Sequence, residues 1–477
     1  MCKYCDMSLV NTETACKDYF IHRPFYLKNE YTKKRIKADG TNPTMYLREY
    51  RNNGSHTWSL ICEFADEAGT VVESPVIYCP ICGDYLIGRE RGECLMTKLL
   101  IVGGTFDREG GCPSGLILKI FREILADGRF DVTYQNGGTV EKLHDEILPS
   151  VVDYKIVLWF ANVPNDEVKL RDVKAINPKC ILITSKRNDN GKYTFAELIS
   201  RALAIKANLT VEFSKLDGIF NMVLFDPLGN VFYNGLSIAD MCRSMVDRTC
   251  KLLTFTRVPT IQDTEHEVPA VPDESEFFDF AHDCADIFHN LIQPAKDTER
   301  FLGNMSFRCQ NGFPSFRGEG GIIFVSRRNV DKSDIGAASF VPTYLDDTDT
   351  VKYFGENKPS VDTPVQLRLY KYFPWANYMI HAHCYVDTSL VGPDALRLQT
   401  TKPIPCGALE EVEEIVSTYV KASTLFWDPW HKEPSRLLAI NLVGHGCILI
   451  AKDIEILKKL QKHKDNCFIP RPTPECF

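Results

Sequence analysis

The architecture of the C-terminal part can be inferred outward from residues 362–383, DTPVQLRLYKYFPWANYMIHAH. The apolar run Tyr378-Met379-Ile380 leads into His381-Ala382-His383, and an apolar run of this kind is typical of a buried strand. Residues two apart on a strand point to the same face, so the two imidazoles are expected side by side. At this spacing each ring can give one nitrogen to a single metal ion.

A third candidate ligand, His445, lies between Gly444 and Gly446, just before the apolar run Cys447–Ile450. The flanking glycines allow the backbone of this turn to come close to neighbouring groups. The sequence therefore predicts a metal site made of His381, His383 and His445. A histidine pair on a strand can equally serve only the fold, so both interpretations stay open at this point.

Four motifs occur in a fixed order in this part of the chain: GNMSFR with Asn304, KPSVDTP at 358–364, His381-Ala-His383 and Gly444-His-Gly446. In order and spacing they resemble the class II aldolase/adducin family, which includes fuculose-phosphate aldolase, ribulose-phosphate 4-epimerase and a thioribulose-phosphate dehydratase. The resemblance covers residues 276–477. It implies a class II aldolase-like α/β/α domain that assembles as a homo-oligomer, a tetramer in this family, with sites between subunits.

The resemblance also implies roles for individual residues. The three histidines fall on the metal ligands, and the acid/base position falls on Asp362, where aldolases carry glutamate and 4-epimerases aspartate. Asp362 is thus expected to be a catalytic base or an additional metal contact. Its carboxylate can alternatively cap the helix predicted over 364–373, where negative charge is favourable.

Substrate phosphate contacts fall by position on Asn304, Arg328, Asn329 and Ser360. Arg328 stands where the family usually has a small residue, and it can either bind an anion bidentately or fill the pocket. The catalytic tyrosine of the aldolases has no counterpart, because Tyr419 is the last tyrosine of the chain. This departure argues against aldol cleavage itself and leaves the other reactions of the family open.

The function implied is a metal-dependent lyase or epimerase that acts on a phosphorylated ketose or related sugar through a metal-stabilised enediolate. The expected cofactor is a divalent metal, Zn²⁺ first and Mn²⁺ or Co²⁺ as alternatives. The competing hypothesis is a non-catalytic aldolase-like oligomerisation platform, with a middle domain that binds a nucleotide or nucleotide sugar.

Composition narrows the class of protein. The chain has 477 residues, 44% of them hydrophobic and 25% charged, with a net charge of -8. Its length predicts several domains, and its charge argues against binding of nucleic acid or anionic membranes. It has no apolar run long enough to span a bilayer and no signal-like N-terminus. A cytoplasmic, reducing location is therefore expected for its 18 cysteines.

Residues 1–95 contain two CxxC pairs. The first pair consists of Cys2 and Cys5, and the second consists of Cys79 and Cys82. Two such turns can complete a tetrahedral structural Zn²⁺ site, so a small zinc-ribbon-like module is predicted. The alternative is two unrelated cysteine pairs. The segments between them, around 57–64 and 70–72, read as strands.

Residues 97–256 alternate apolar strand-like runs with helical patterns, which predicts a parallel-sheet α/β domain of Rossmann-like or flavodoxin-like type. The glycine-rich segment Gly103–Gly111 follows the first predicted strand. It can bind a phosphate there, or serve only as a turn. Residues 257–275 carry three prolines and several acidic residues, and this composition predicts a linker before the domain at 276–477.

Overall fold

The computed structural model describes the chain over most of its length. The described residues are 16–21, 44–52, 55–63, 71–76, 97–163, 170–216, 219–291, 301–308, 321–425, 436–472 and 474–477. The chain divides into two compact units, Met1–Met96 and Thr97–Phe477. The predicted N-terminal module, residues 1–95, falls within the first of these units.

The first unit contains an antiparallel sheet of strands in the order β1-β2-β3-β4. The strands are β1 (Cys16–Ile21), β2 (Thr44–Asn52), β3 (Ser55–Glu63) and β4 (Val71–Val76). The last two overlap the segments around 57–64 and 70–72 that were predicted as strands.

The predicted structural zinc site of the first unit is not part of the described structure. Neither CxxC pair is placed, because the described residues leave out Cys2 and Cys5 of the first pair as well as Cys79 and Cys82 of the second. What the structure describes of this unit is the four-stranded sheet. The zinc-ribbon-like module and its Zn²⁺ therefore stay predictions from the sequence.

The second unit holds two large sheets. The first has the order β23-β11-β10-β9-β8-β7-β5-β6. Its strands are β5 (Thr97–Asp107), β6 (Phe130–Thr139), β7 (Ile156–Trp159), β8 (Ile181–Arg187), β9 (Leu209–Leu216), β10 (Ile219–Phe225), β11 (Asn230–Gly235) and β23 (Glu475–Cys476). Strands β5 to β9 are parallel, as predicted, but β10 and β11 continue the sheet antiparallel. The sheet is therefore mixed. Only two residues separate β9 from β10 and four separate β10 from β11, whereas a parallel connection would need a crossover of about a dozen residues or more.

Helices cover this first large sheet. They are α1 (Gly115–Asp127), α2 (Leu170–Ile176), α3 (Phe195–Ala204) and α4 (Ile238–Thr254), with short helical turns at Val140–Lys142, Leu143–Ile147, Leu148–Ser150, Val151–Asp153 and Asp189–Gly191. Helix α1 begins where Ser114 accepts a hydrogen bond from the N–H of Ile117. It ends at Gly128, which has a positive φ of 73°. These are the expected start and stop signals of a helix.

The second large sheet has the order β12-β16-β15-β14-β13-β17-β21-β20-β19 and is mainly antiparallel. Its strands are β12 (Thr260–Gln262), β13 (Asn304–Arg308), β14 (Ile323–Ser326), β15 (Phe340–Leu345), β16 (Val351–Tyr353), β17 (Tyr378–Ala382), β19 (Ala395–Gln399), β20 (Leu437–Leu442) and β21 (Gly446–Ala451). A separate small pair consists of β18 (Tyr385–Val386) and β22 (Phe468–Ile469).

Helices lie on both faces of this sheet. They are α5 (Ser275–Leu291), α6 (Thr363–Tyr372), α7 (Glu410–Leu425), α8 (Ile454–Gln461) and α9 (Lys464–Cys467), with short 3₁₀ turns at Lys332–Asp334 and Ala337–Ser339. On β17, Tyr378 and Ile380 pack with residues of α5 and α8. Met379 packs on the other face with residues of α6 and α7. Burial on both faces explains why this strand reads as a continuous apolar run.

The predicted linker also takes part in the second large sheet. Strand β12, within residues 257–275, pairs in parallel with β16. Asp263 follows that strand and accepts a hydrogen bond of 2.6 Å from the hydroxyl of Tyr344. The prolines of this segment, Pro259, Pro269 and Pro272, lie outside β12, so a proline-rich segment can still supply an edge strand.

Candidate metal centre

Three histidines meet at one end of the second large sheet. His381 lies on β17, His383 lies just past the end of that strand, and His445 precedes β21. Their ring centroids are 4.6 to 5.1 Å apart, and one ring nitrogen from each lies within 4.8 Å of the others. All three side chains are buried. The sequence prediction that these residues come together is geometrically satisfied, although His383 lies beyond the strand on which it was expected.

Glycine makes this approach possible. A Cβ on Gly446 would lie 2.1 Å from the carbonyl oxygen of Ala382 and 2.8 Å from Cα of His383. Gly444 adopts a positive φ of 70°. Only glycine accommodates such contacts and such a backbone without strain, so the Gly-His-Gly motif has a structural cause.

The ring nitrogens are prepared for a ligand. Nδ1 of His381 lies 2.9 Å from the backbone carbonyl of Cys447. A carbonyl only accepts hydrogen bonds, so Nδ1 carries the proton and Nε2 keeps a lone pair. Nε2 of His381 and Nδ1 of His383 are buried and have no hydrogen-bond partner. Buried polar atoms without partners are rare, and a metal ion would satisfy both.

The electrostatic surroundings favour neutral rings at two positions. Burial lowers the pKa of His381 and of His383 well below the usual value, and the neighbouring rings lower it further. A neutral imidazole is the form that binds a metal. Burial would also lower the pKa of His445, but Cys406 and Glu411 beside its ring raise that pKa well above the usual value.

Two residues that contact His445 were missed by the sequence analysis. Oε1 of Glu411 lies 2.7 Å from Nδ1 of His445, and Sγ of Cys406 lies 3.0 Å from its Nε2. Carboxylates commonly hold metal-binding histidines in this way. In the sequence, Glu411 is one of several acidic residues in the first turn of a helix, and Cys406 stands alone, so neither carries a signal of its own.

Asp362 lies directly before α6, but its side chain makes no capping hydrogen bond to that helix. The capping alternative is therefore not realised. Instead, Oδ2 accepts a 2.7 Å hydrogen bond from Nδ2 of Asn304, while Oδ1 is buried without a partner. Burial, reinforced by the nearby charge of Glu411, raises the pKa of Asp362 to about 6.

The candidate anion-binding residues occupy different settings. Asn304 is buried, and Oδ1 of its amide accepts a hydrogen bond from Nε2 of Gln366, so it is committed to Asp362 and Gln366. Ser360 is buried and its N–H donates to the carbonyl of Ser326 at 3.0 Å. Arg328 is exposed.

A hydrogen bond of Arg328 brings it next to the segment that carries Ser360. Its Nε donates to the carbonyl of Pro359 at 3.0 Å, which places it beside Ser360. Asn329 is exposed with a positive φ of 59°, and its Oδ1 accepts from the N–H of Phe301. The structure thus places Ser360 and Arg328 on adjoining segments, and Asn329 on the turn that follows Arg328.

The glycine-rich segment of the first large sheet differs from the expected open loop. Strand β5 continues through Gly103 to Asp107, because a bulge keeps it paired with β6. The carboxylate oxygen Oδ1 of Asp107 accepts from the N–H groups of Glu109 and Gly111, each at 2.9 Å. Two backbone N–H groups of the segment predicted to meet a phosphate are thus already bonded within the loop. The nucleotide-binding alternative is therefore not favoured.

Among the described residues, no helix combines the length and apolar character required to cross a bilayer.

The profile of the "Class II Aldolase and Adducin N-terminal domain" family matches residues 283–404. The C-terminal region of the chain is thus class II aldolase/adducin-like, as the four motifs indicated. No curated protein matches the chain.

Two solved structures are similar to parts of the chain. One is an aldolase II superfamily protein from Pseudomonas syringae, with 12% identity over 40% of this chain and 74% of that one, at a TM-score of 0.24. The other is the DNA/pantothenate metabolism flavoprotein from Streptococcus pneumoniae, with 14% identity over 33% of this chain and 99% of that one, at a TM-score of 0.28.

Proposed function

We propose that the C-terminal region is a metal-dependent lyase or epimerase acting on a phosphorylated ketose or a related sugar. The observation that carries this proposal is the buried cluster of His381, His383 and His445, in which two ring nitrogens have no partner. Leaving such polar atoms unsatisfied costs about 1–3 kcal/mol each. These unsatisfied nitrogens destabilise the fold, whereas a bound divalent ion would coordinate both and remove the penalty.

The donor set fits a divalent ion of borderline softness. Three imidazoles leave the charge of the ion undiminished, and one or more coordination positions remain for other ligands. When bound, such an ion would polarise a substrate carbonyl and stabilise the negative charge that develops on its oxygen. Glu411 would keep the ring of His445 in the orientation and tautomer that presents Nε2.

Asp362 is the residue proposed to move the proton. Its Oδ2 is held by Asn304, so the partnerless Oδ1 is the oxygen that can accept a proton from substrate. With a pKa of about 6, the carboxyl is mostly ionised at neutral pH yet close enough to that pH to exchange a proton. Gln366 donates to the amide oxygen of Asn304 and so fixes the amide that holds Asp362.

Arg328 and Ser360 are proposed as the phosphate end of the site. They lie on adjoining segments, and Ser360 is two residues from Asp362. A guanidinium can bind phosphate through two parallel hydrogen bonds. This arrangement would hold a sugar phosphate with its charged group near Arg328 and its carbonyl end toward the histidines. A homo-oligomer, tetrameric by resemblance, is part of the same proposal.

The test is metal content and activity of the full chain. Wild type, His383→Ala and Asp362→Asn are loaded with Zn²⁺, dialysed and analysed for metal per chain, with His144→Ala as the control because His144 is exposed. His383→Ala should hold about one ion fewer than wild type, since a ligand is lost. Asp362→Asn should keep the metal but lose about 10²–10⁴-fold in turnover, because the base is gone.

Activity is screened on ketose and aldose phosphates by release of aldehyde, loss of water or change of configuration. Equal metal content in wild type and His383→Ala would overturn the metal site. Metal binding without turnover of any sugar phosphate would overturn the assigned substrate class.

A further inference from the structure

The contact between Cys406 and His445 is not used by the proposed function. Because Nδ1 of His445 is bound to Glu411 at 2.7 Å, Nε2 is the nitrogen left for a metal. Sγ of Cys406 lies 3.0 Å from that same Nε2. The thiol therefore sits on the side of the ring where a metal would be.

The backbone around Cys406 is held in place. Gly407 has a positive φ of 71°, and a Cβ on it would lie 2.8 Å from the carbonyl oxygen of Val361. The turn is thus packed against the segment that carries Asp362. Helix α7 begins a few residues later and supplies Glu411. One short stretch therefore delivers both the thiol and the carboxylate that contact His445.

We propose that Cys406 is a fourth protein ligand of the ion held by His381, His383 and His445. This inference rests on the metal site of the proposed function. A cysteine alone would carry little, but two buried and partnerless nitrogens, on His381 and His383, face the same cluster. Sγ of Cys406 contacts the ring of His445 but lies outside the group of ligand atoms within 4.8 Å of one another, so the proposal requires the thiol to move toward the other two rings when the ion binds.

The fourth ligand defines the class of metal. A thiolate with three imidazoles suits Zn²⁺ and its analogue Co²⁺, whereas Mg²⁺ and Mn²⁺ prefer oxygen ligands. When bound, the ion would be held by His381, His383, His445 and Cys406 and would supply a Lewis acid for the substrate carbonyl. Asp362 would remain outside the shell, with Oδ1 available as the base.

Cobalt spectroscopy on the full chain tests this inference. Co²⁺ is added to metal-free protein, and the near-ultraviolet thiolate-to-cobalt charge-transfer band is recorded for wild type, Cys406→Ser, Asp362→Asn and Cys476→Ser. Cys476 is a free, exposed cysteine and serves as the matched control. Cysteines near the N-terminus can also bind cobalt, so the measured quantity is the difference between wild type and each variant.

The charge-transfer band of the wild type should be lost in Cys406→Ser and in His383→Ala, so that both give a difference band. Asp362→Asn and Cys476→Ser should keep it and give none. Two outcomes overturn the inference separately. Cobalt bound at the histidines with no difference between wild type and Cys406→Ser removes Cys406 from the shell but leaves the proposed function intact. No cobalt lost in His383→Ala removes the metal site, and the proposed function falls with it.

Discussion

His445 has a different neighbour on each ring nitrogen, Glu411 on Nδ1 and Cys406 on Nε2. The sequence predicted the histidine because two glycines mark it. It could not predict its neighbours, since they are 34 and 39 residues away in the chain and neither one is marked by a sequence motif of its own. A motif such as Gly-His-Gly, whose glycines are required by the local backbone conformation, can be recognised in the sequence. Contacts between residues far apart in the chain cannot.

Asp362 gives a prediction at the residue scale. Its pKa is raised from 3.8 to about 6 by burial and by Glu411, so the folded state binds a proton more tightly than the unfolded state. The stability of wild type should therefore fall as pH rises from about 4 to about 7, by up to about 3 kcal/mol relative to Asp362→Asn. Asparagine has the same shape but does not titrate.

Denaturant unfolding of metal-free wild type and Asp362→Asn across this pH range provides the measurement. A difference between the two proteins that stays constant with pH would show that Asp362 titrates normally.

Lys332 gives a second prediction at this scale. Its buried ammonium shares three N–H donors among four backbone carbonyl oxygens at 2.9 to 3.3 Å, those of Phe301, Leu302, Gly303 and Val330. Replacing it with methionine leaves these carbonyls without their donor, so Lys332→Met should destabilise the protein by about 3 kcal/mol. The turn that leads to Asn304 should loosen as well.

Thermal unfolding and hydrogen exchange of residues 301–304 would detect both effects. Arg327→Met is the matched control. It also replaces a basic residue with methionine, but Arg327 is exposed and lies five positions before Lys332. If both variants unfold alike, the ammonium does not hold this turn.

At the scale of elements, continuous apolar runs predicted the strands, and glycines predicted where they end. Strand β17 was predicted because it is apolar on both faces, and β5 was predicted to end before its glycines. It continues instead, because a bulge between Gly103 and Phe106 preserves pairing with β6. Glycine is a turn signal in sequence, but a bulge uses the same residue to keep a strand going.

The turn between β10 and β11 gives a prediction at this scale. Nδ2 of Asn230 donates to the carbonyl of Gly444 at 2.6 Å and to Oδ2 of Asp226 at 2.8 Å. This turn of the first large sheet therefore holds the residue directly before His445. Asn230→Ala should cost about 2 kcal/mol in stability and weaken metal binding at least about tenfold, because the histidine turn loses its support.

Competition with a zinc chelator would give the metal affinity. Asn234→Ala is the control, since Asn234 is exposed on the same hairpin and contacts only that hairpin's Asn221 among the bonds described. Unchanged affinity in Asn230→Ala would mean that the turn packs against the site without positioning it.

At the scale of the whole molecule, composition and alternation predicted several α/β domains but not how two of them connect. Within Thr97–Phe477, the C-terminal end of the chain connects the two large sheets. After the last strand of the second large sheet the chain returns to the first, where β23 pairs with β11. Nη1 of Arg471 also donates to Oδ1 of Asn230 at 2.9 Å. A separate domain at 276–477 was expected from the four motifs and from the linker-like composition of residues 257–275, and nothing local in the sequence marks the return of the chain to the first large sheet.

The last prediction follows from this connection. A fragment of residues 97–477 should fold cooperatively, because it retains the whole compact second unit. It should also bind one metal ion at the histidines, and that ion should be absent when the fragment carries His383→Ala. Residues 276–477 alone would lose the partner of β23 and the turn that supports Gly444. That fragment should be less stable and bind metal more weakly, since an unpaired strand edge and an unsupported histidine turn both favour opening. Calorimetry and metal analysis of the two fragments, each beside its His383→Ala variant, provide the comparison. Equal melting temperature and equal affinity would show that the second large sheet and its metal centre form an independent domain, as the sequence alone suggested.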